Sequence, residues 1–208
     1  MLITFLYHSI KNPFLFEKHL EYLVKKYVIV TPGDPLILTK TQICLSFDDG
    51  YKDFYTVVFP LLQKWNIPAT LAVPIEWIGK ASFCTWEDII EMNKSGLVPI
   101  ASHSYTHPNL LEKNVDYEKE IVISQKVLED KLQKPISTFV YPYGKFNASI
   151  HSKVKQYYPF VMRIGTAINI NWQNRSGLIY RIPNDDFSQK EKSICYYYSL
   201  LWNTLRNR

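Results

Sequence analysis

Short apolar runs alternate with amphipathic segments along the whole chain. Seven runs have the length and the β-branched and aromatic content of buried strands: "LITFLY", "QICLSF", "ATLAV", "LVPIAS", "STFVY", "FVMRIG" and "LIYRI". Apolar positions spaced three or four apart predict helices between them, over "PFLFEKHLEYLVKKY", "FYTVVFPLLQKWN", "TWEDIIEMNKSG", "VDYEKEIVISQKVLEDKLQK", "ASIHSKVKQYY" and residues 189–205. Strands that alternate with helices predict βαβ units around a parallel sheet, either as a barrel or as an open doubly wound sheet.

Local residues refine three of these helices. The first is predicted to bury a stripe formed by Phe14, Leu20, Leu23 and Val24. Pro60 predicts either a kink or the beginning of a new helical segment, and Thr85 is the expected N-cap of the third helix. Since no linker, repeat or low-complexity segment interrupts the pattern, residues 1–208 are predicted to form a single domain.

Composition and charge exclude some classes of partner. The net charge is +5 and the basic residues are dispersed, which argues against nucleic acid as the main partner. Cys44, Cys84 and Cys195 are far apart, so we expect buried free thiols and a reducing compartment. The first residues lack a basic lead and a long apolar run, so we expect a cytoplasmic location.

The C-terminal tail "SICYYYSLLWNTLRNR" permits two interpretations. Its aromatic residues, leucines and arginines are compatible with peripheral contact at the inner face of a membrane. The favoured interpretation is a helix packed on the rest of the fold, because four apolar residues form a stripe at helical spacing. These residues are Ile194, Tyr198, Leu201 and Leu205.

Two groups of polar residues follow predicted strands. In "CLSFDDG" the adjacent Asp48 and Asp49 could simply face water in a turn, and in "ASHSYTHP" His103 and His107 lie four apart, on one face if the segment is a helical turn. The ends of parallel strands meet at one edge, where catalytic groups of such folds gather. One aspartate and two histidines would form a catalytic site for one divalent metal ion, with zinc expected. The other aspartate could then accept a proton from water at the metal.

Three motifs, in order, resemble those of the NodB-homology polysaccharide deacetylases, which form carbohydrate esterase family four. "SFDDG" resembles the family's T-F-D-D-G, "HSYTH" its H-[ST]-x-x-H, and "YPYG" the end of its R-x-P-Y-G. The resemblance implies an α/β fold that is a distorted (β/α) barrel. It also implies metal-dependent removal of the acetyl group from an N-acetylated sugar, in a glycan or in a lipid-linked precursor.

The resemblance also implies roles for individual residues. By position in the motifs, Asp48 would be the general base, and the metal ligands would be Asp49, His103 and His107. The backbone N–H of Tyr143 would stabilise the oxyanion. These assignments come from the motifs and not from the spacing of the residues.

The chain departs from the family pattern in three places. Tyr141 replaces the arginine of the third motif, which usually orients the base, and Arg181 is a candidate substitute for it. The aspartate-tryptophan motif and the L-x-H motif that carries the general acid are both missing. The chain here resembles the poly-N-acetylglucosamine deacetylase branch, whose circularly permuted order places the acid histidine after the first strand. His8 has that position, although a strand-end histidine bonded to a loop is the alternative. His19 and His151 are interpreted as surface residues.

The sequence is compatible with two other functions. The chain could be a catalytically silent glycan-binding domain, or it could hydrolyse another small amide on the same scaffold. Trp172 is interpreted as a core residue, with a wall of the acetyl pocket as the alternative.

Overall fold

The computed structural model describes residues 1–185, whose strands form a closed parallel barrel. The strands are β1 (Leu2–Tyr7), β2 (Val28–Ile29), β3 (Gln42–Phe47), β4 (Thr70–Val73), β5 (Ile100–Ser102), β6 (Thr138–Val140), β7 (Phe160–Ile164) and β8 (Ile179–Pro183). Within this part of the chain the barrel order is β1-β8-β7-β6-β5-β4-β3, and β1 pairs with β3 to close it. The prediction of a distorted (β/α) barrel is confirmed, and the open sheet is excluded.

Helices follow most of the strands, as the hydrophobic pattern predicts. They are α1 (Pro13–Lys26), α2 (Phe59–Trp65), α3 (Trp86–Lys94), α4 (Ser124–Leu132) and α5 (Ala148–Val154). Two π-helical segments, Phe54–Val58 and Glu118–Ile123, lead directly into α2 and α4. Pro60 lies in the first turn of α2, so the proline begins a new segment instead of kinking one. Thr85 caps α3 as expected, through a capping box with Asp88.

Two details differ from the predicted elements. Phe14 is 66% exposed, so its place in the buried stripe of α1 was wrong; Phe16 is fully buried instead. Strand β2 was not predicted, because a two-residue strand has no recognisable period. The final helix, its apolar stripe and Cys195 lie outside the described residues. That residues 1–208 form a single domain stays a prediction.

The interior of the barrel is filled by one residue from each of its seven strands. This apolar layer, which Trp172 and Val30 join, consists of Leu2, Cys44, Ala72, Ala101, Val140, Met162 and Ile179. Because side chains alternate between the two faces of a strand, residues two or four positions further along also face inward. Cys44 is therefore followed by Ser46 and then Asp48, and Ile179 is followed by Arg181.

The polar inward-facing residues thus lie towards the carboxyl ends of the strands. Ser46, Arg181 and Thr4 are each at most 1% exposed, so this end of the interior is polar and buried. A second and larger apolar cluster packs the outer face of the barrel against the helices. None of the helices in residues 1–185 is long and apolar enough to cross a membrane.

Candidate metal and catalytic site

The two adjacent aspartates lie in a tight turn directly after β3. The Asp48 N–H donates to the carbonyl oxygen of Tyr7 at 2.9 Å, which continues the pairing of β3 with β1. Asp49 and Gly50 then both have left-handed backbone, with φ of 73° and 70°. Because the chain reverses here, the two neighbouring carboxylates lie beside different residues.

The two histidines of "HSYTH" lie in a loop after β5 and not on a helical turn. Ser104 and His107 have left-handed backbone, with φ of 67° and 62°, so the condition of a helical turn is not met. The loop nevertheless brings the rings together, and the Nε2 atoms of His103 and His107 are 3.2 Å apart. A reversed loop thus achieves the convergence that was expected from helical spacing.

Asp49, His103 and His107 together could hold a metal ion. Oδ1 of Asp49 is 3.7 Å from Nε2 of His103 and 3.5 Å from Nε2 of His107. Ligand atoms bound about 2.1 Å from one ion lie roughly 3.0–3.5 Å apart at octahedral or tetrahedral angles. The three atoms therefore fit a shared divalent ion with little movement, and their mixture of nitrogen and oxygen suits such an ion.

The protonation states of these side chains also suit a metal site. Burial lowers the pKa of His103 to about 4, so its imidazole is neutral, as a ligand must be. Nδ1 of His103 lies 2.8 Å from the carbonyl oxygen of Val140, which can only accept, so Nδ1 donates and Nε2 keeps its lone pair. Burial and the neighbouring Asp48 raise the pKa of Asp49 to about 6, a cost that a bound cation would offset.

Asp48 is held by Arg181 from β8. Both carboxylate oxygens accept from the guanidinium, at 2.6 and 2.8 Å, and Ser46 Oγ accepts a further bond at 2.8 Å. Burial opposes the charge of Asp48, but attraction to the Arg181 guanidinium outweighs it and holds the pKa below its usual value. Arg181, the candidate substitute for the motif arginine, therefore contacts the aspartate that was predicted to be the general base.

His8 is positioned at the end of β1 by a second acidic residue. Asp185 accepts from the His8 backbone N–H at 2.6 Å and lies 3.0 Å from its Nδ1. The hydrogen bond with Asp185 raises the pKa of His8, although partial burial acts against it, and Asp48 and Asp49 raise it further. The same rim therefore carries a carboxylate with a lowered pKa and a histidine with a raised pKa.

Tyr143 lies beside the two histidines on a short 3₁₀ turn, Pro142–Gly144, after β6. Its backbone is left-handed, with φ of 56°. Its ring packs on that of His107 with centroids 4.7 Å apart, and the side chain is 61% exposed. The structure thus brings all six predicted site residues to one edge of the barrel: Asp48, Asp49, His8, His103, His107 and Tyr143.

Comparison with known proteins identifies the family. The family model described as "Polysaccharide deacetylase" matches residues 37–158, which is more than half of the chain. The chain belongs to the polysaccharide deacetylase family. The match contains all three motifs of the site, so the geometry and the family assignment rest on the same residues.

Individual relatives agree with this assignment. The chain is 26% identical over 167 residues to the poly-beta-1,6-N-acetyl-D-glucosamine N-deacetylase of Escherichia coli K12, covering 60% of this chain and 25% of the relative. BC0361, a polysaccharide deacetylase from Bacillus cereus, superposes with a TM-score of 0.79 at 25% identity, over 88% of this chain and 64% of that one. IcaB from Ammonifex degensii shares the fold, with a TM-score of 0.80 at 23% identity over 90% and 94% of the two chains.

The coverage of these relatives is partial. The chain spans between 25% and 50% of the length of the curated relatives that head the comparison. The family and the fold are therefore assigned to this polysaccharide deacetylase domain, which corresponds to only part of each of those relatives.

The histidines outside the site differ from their interpretation as surface residues. His19 is half-buried, and its Nε2 lies 2.8 Å from the hydroxyl of Tyr7. His151 is also half-buried, and its Nδ1 lies 3.0 Å from the hydroxyl of Tyr141. Both interpretations were wrong, because each ring is partly buried and is the hydrogen-bond partner of a tyrosine hydroxyl. Tyr141 thus occupies the sequence position of the motif arginine, but its hydroxyl pairs with His151.

Two acidic residues near the site, Asp185 and Asp53, were not predicted, and Trp172 lies away from the site. Asp185 lies shortly after β8, and a carboxylate that follows a strand was the signal that could have identified it. Asp53 accepts from Ser9 Oγ at 2.8 Å and from the Ile10 N–H, and so holds the backbone that follows His8. Trp172 is a core residue at the opposite end of the barrel, where it donates to the carbonyl oxygen of Asp34.

Proposed function

We propose that this domain is a metal-dependent de-N-acetylase, which hydrolyses the acetamide of an N-acetylated sugar and releases acetate. The observation that carries the proposal is the convergence of Asp49, His103 and His107 beside the ionised Asp48. An Asp/His/His set leaves coordination positions free, as catalytic rather than structural metal sites do. The family match and the names of the curated relatives support the choice of reaction.

We infer that the ion is zinc, since two imidazoles and one carboxylate form a donor set that zinc favours. Bound there, a divalent ion would polarise the acetamide carbonyl and make water easier to deprotonate. Residues of the chain supply the remaining chemistry. Asp48, oriented by Arg181, accepts a proton from the attacking water, whose oxygen forms the new bond to the carbonyl carbon.

The second half of the reaction needs an acid. The N–H of Tyr143 donates to the oxyanion of the tetrahedral intermediate, where one such donor typically contributes about 10²-fold or more to the rate. As the bond from carbon to nitrogen breaks, His8 gives its proton to the departing amine. Asp48 has then gained one proton and His8 has lost one, and exchange with solvent restores both.

The substrate is proposed to be an acetylated glycan or a lipid-linked acetylated sugar. A cleft of about 480 Å³ opens beside the site and is lined by His107, Pro108, Asn109, Glu112, Tyr143 and Lys145. Its polar and aromatic lining suits a sugar, because hydroxyl groups need hydrogen-bond partners and sugar faces pack on aromatic rings.

The test is acetate release from a panel of acetylated glycans and sugar conjugates, with metal removed and then restored. We expect turnover of at least one N-acetylhexosamine substrate, loss of turnover after chelation, and recovery with zinc. Binding of the glycan without acetate release would favour a silent glycan-binding domain. Turnover confined to unrelated amides would favour another hydrolase on the same scaffold.

The cytoplasmic location is also a proposal. Cys44 and Cys84 are buried free thiols, which is compatible with a reducing compartment. Cell fractionation tests the location, and vesicle co-sedimentation with and without residues 193–208 tests whether the tail binds a membrane surface.

A further inference from the structure

The loop between the two histidines is held by one buried side chain. The left-handed backbone at Ser104 and His107 means that the N–H groups between them are not bonded as in a helix or a sheet. The N–H groups of Tyr105 and Thr106 both donate to Oε2 of Glu120, each at 2.9 Å. The hydroxyl of Thr106 donates to Oε1 at 2.8 Å, so both oxygens of Glu120 are bonded to this loop.

Glu120 reaches the loop from an unusual position. It is only 4% exposed, and it lies in the π-helical segment Glu118–Ile123 that precedes α4. Such segments are rare and frequently occur at functional sites. A carboxylate is expensive to bury unless several donors satisfy it, and here the donors all come from the loop that carries His107. The contact is therefore specific to this loop.

The two histidines depend on their surroundings to different degrees. The ring of His103 is fixed by the bond from its own Nδ1 to the carbonyl oxygen of Val140. Nδ1 of His107 is buried and has no hydrogen-bond partner among residues 1–185. The orientation of the His107 ring depends instead on packing against Trp77 and Tyr143, with centroids 4.7 Å away in each case, and on its backbone.

We propose that Glu120 is a positioning residue of the metal site, and that it acts through His107. This inference rests on the proposed function, because it takes Asp49, His103 and His107 as the ligands. By holding the backbone of Tyr105 and Thr106, the carboxylate keeps the left-handed loop from relaxing. Nε2 of His107 then stays beside the other two ligand atoms before any ion binds.

The test is the zinc affinity of Glu120→Gln, measured by competition with a chromophoric chelator. The amide keeps the shape of the side chain but turns one acceptor into a donor, which faces the donors of the loop. Loss of a contact that orients a metal ligand typically weakens metal binding about 10- to 100-fold, and we expect a loss in this range. Saturating zinc should restore turnover to near the wild-type value, with KM unchanged.

Glu129→Gln is the matched control. Glu129 belongs to the same helical stretch and also accepts from a loop, the N–H of Ile136 at 2.9 Å, but that loop carries no site residue. Its substitution should leave zinc affinity unchanged, whatever it does to thermal stability. A purely structural role of Glu120 would give the two variants the same pattern, with lower stability and intact zinc binding.

Double variants identify the ligand through which Glu120 acts. In a His107→Ala background, Glu120→Gln should cost no further zinc affinity, because the ligand that it positions is gone. In a His103→Ala background the two losses should add. If Glu120→Gln does not fold, Thr106→Val removes only the bond to Oε1 and should weaken zinc binding by a smaller factor, whereas Thr106→Ser should not.

The outcomes separate this inference from the proposed function. Equal zinc affinities of the wild type and Glu120→Gln would overturn the role of Glu120 and leave the proposed function intact. Additive losses in the His107→Ala background would also overturn it. Wild-type protein that binds no divalent ion would overturn the metal site and, with it, this inference.

Discussion

Asp48 and Asp49 are neighbours in sequence but have different electrostatic surroundings. Both are desolvated by burial, which opposes their charge. The charge of Arg181 outweighs burial at Asp48, so the pKa of Asp48 lies below the usual value. At Asp49 the charge of Asp48 adds to the effect of burial, and the pKa rises to about 6. One carboxylate is thus stabilised by the protein, and the other is left to be stabilised by a cation.

We expect Asp48→Asn and Asp49→Asn to fail in different ways. Asp48→Asn should lower turnover by about 10²-fold or more and retain the metal, because only proton abstraction is lost. Asp49→Asn should weaken metal binding itself, because an amide oxygen is a poorer ligand than a carboxylate. Metal analysis and acetate release on both variants check this, and equal loss of metal from both would contradict the division of roles.

Removal of the Asp185 carboxylate should change the pH profile of turnover. Asp185 raises the pKa of His8, with smaller contributions from Asp48 and Asp49. A general acid must be protonated, so activity falls as the pH rises through its pKa. Asp185→Asn should therefore move the alkaline limb of kcat/KM to lower pH. An unchanged limb in Asp185→Asn, or near-normal turnover by His8→Ala, would mean that another group is the acid.

At the scale of the elements, the site is built from turns that follow strands. Gly50 follows Asp49 in the turn after β3, and Gly144 follows Tyr143 in the turn after β6; all four residues have positive φ. A Cβ at Gly144 would collide with the side chain of Ile164 on β7. Glycine is required there both by the backbone and by the close approach of the neighbouring strand.

Gly144→Ala should therefore destabilise the protein more than Gly79→Ala. Gly79 also has positive φ, 81°, but a Cβ there would meet nothing within 4 Å. Both variants carry the backbone strain of a left-handed alanine, and only Gly144→Ala adds the collision, typically worth about 1–3 kcal/mol. Urea denaturation of both variants measures the difference, and equal losses of stability would show that β7 moves away freely.

At the scale of the whole molecule, the buried Asp48–Arg181 pair connects β3 to β8 across the barrel. The strand between them in the barrel order is β1, which pairs with both. Asp48 is 4% exposed and Arg181 is 1% exposed, so neither charge has water to replace a lost partner. The pair therefore affects the stability of the barrel as well as its chemistry.

Arg181→Met should lower the free energy of unfolding by about 3–5 kcal/mol, because it leaves Asp48 as an unpaired buried charge. The double variant with Asp48→Asn should lose less than the sum of the single losses. Since the pair lowers the pKa of Asp48, its contribution is present above the unfolded pKa of about 3.9 and is lost as the pH falls. Urea denaturation at neutral and acidic pH checks both points, and additive losses would argue against direct coupling.

The elements, the family and a set of candidate site residues could be inferred from the local sequence. Hydrophobic periodicity is a local property, so β1, β3 and the helices α1 and α3 were predicted within a few residues. The ordered motifs predicted the barrel, which periodicity alone left open beside an open sheet. Asp48, Asp49, His103 and His107 were recognisable because each follows a predicted strand within a motif.

Only the tertiary structure decided which distant residues contact one another. Nothing in the local sequence pairs His8 with Asp185 or Glu120 with the loop that carries His107, since these contacts depend on barrel closure and on a π-helical turn. The left-handed backbone of the histidine loop was also unpredictable, because non-glycine residues adopt it only where surrounding contacts stabilise it. Periodicity indicates which face of an element is buried, whereas the site depends on how elements that are distant in sequence pack against one another.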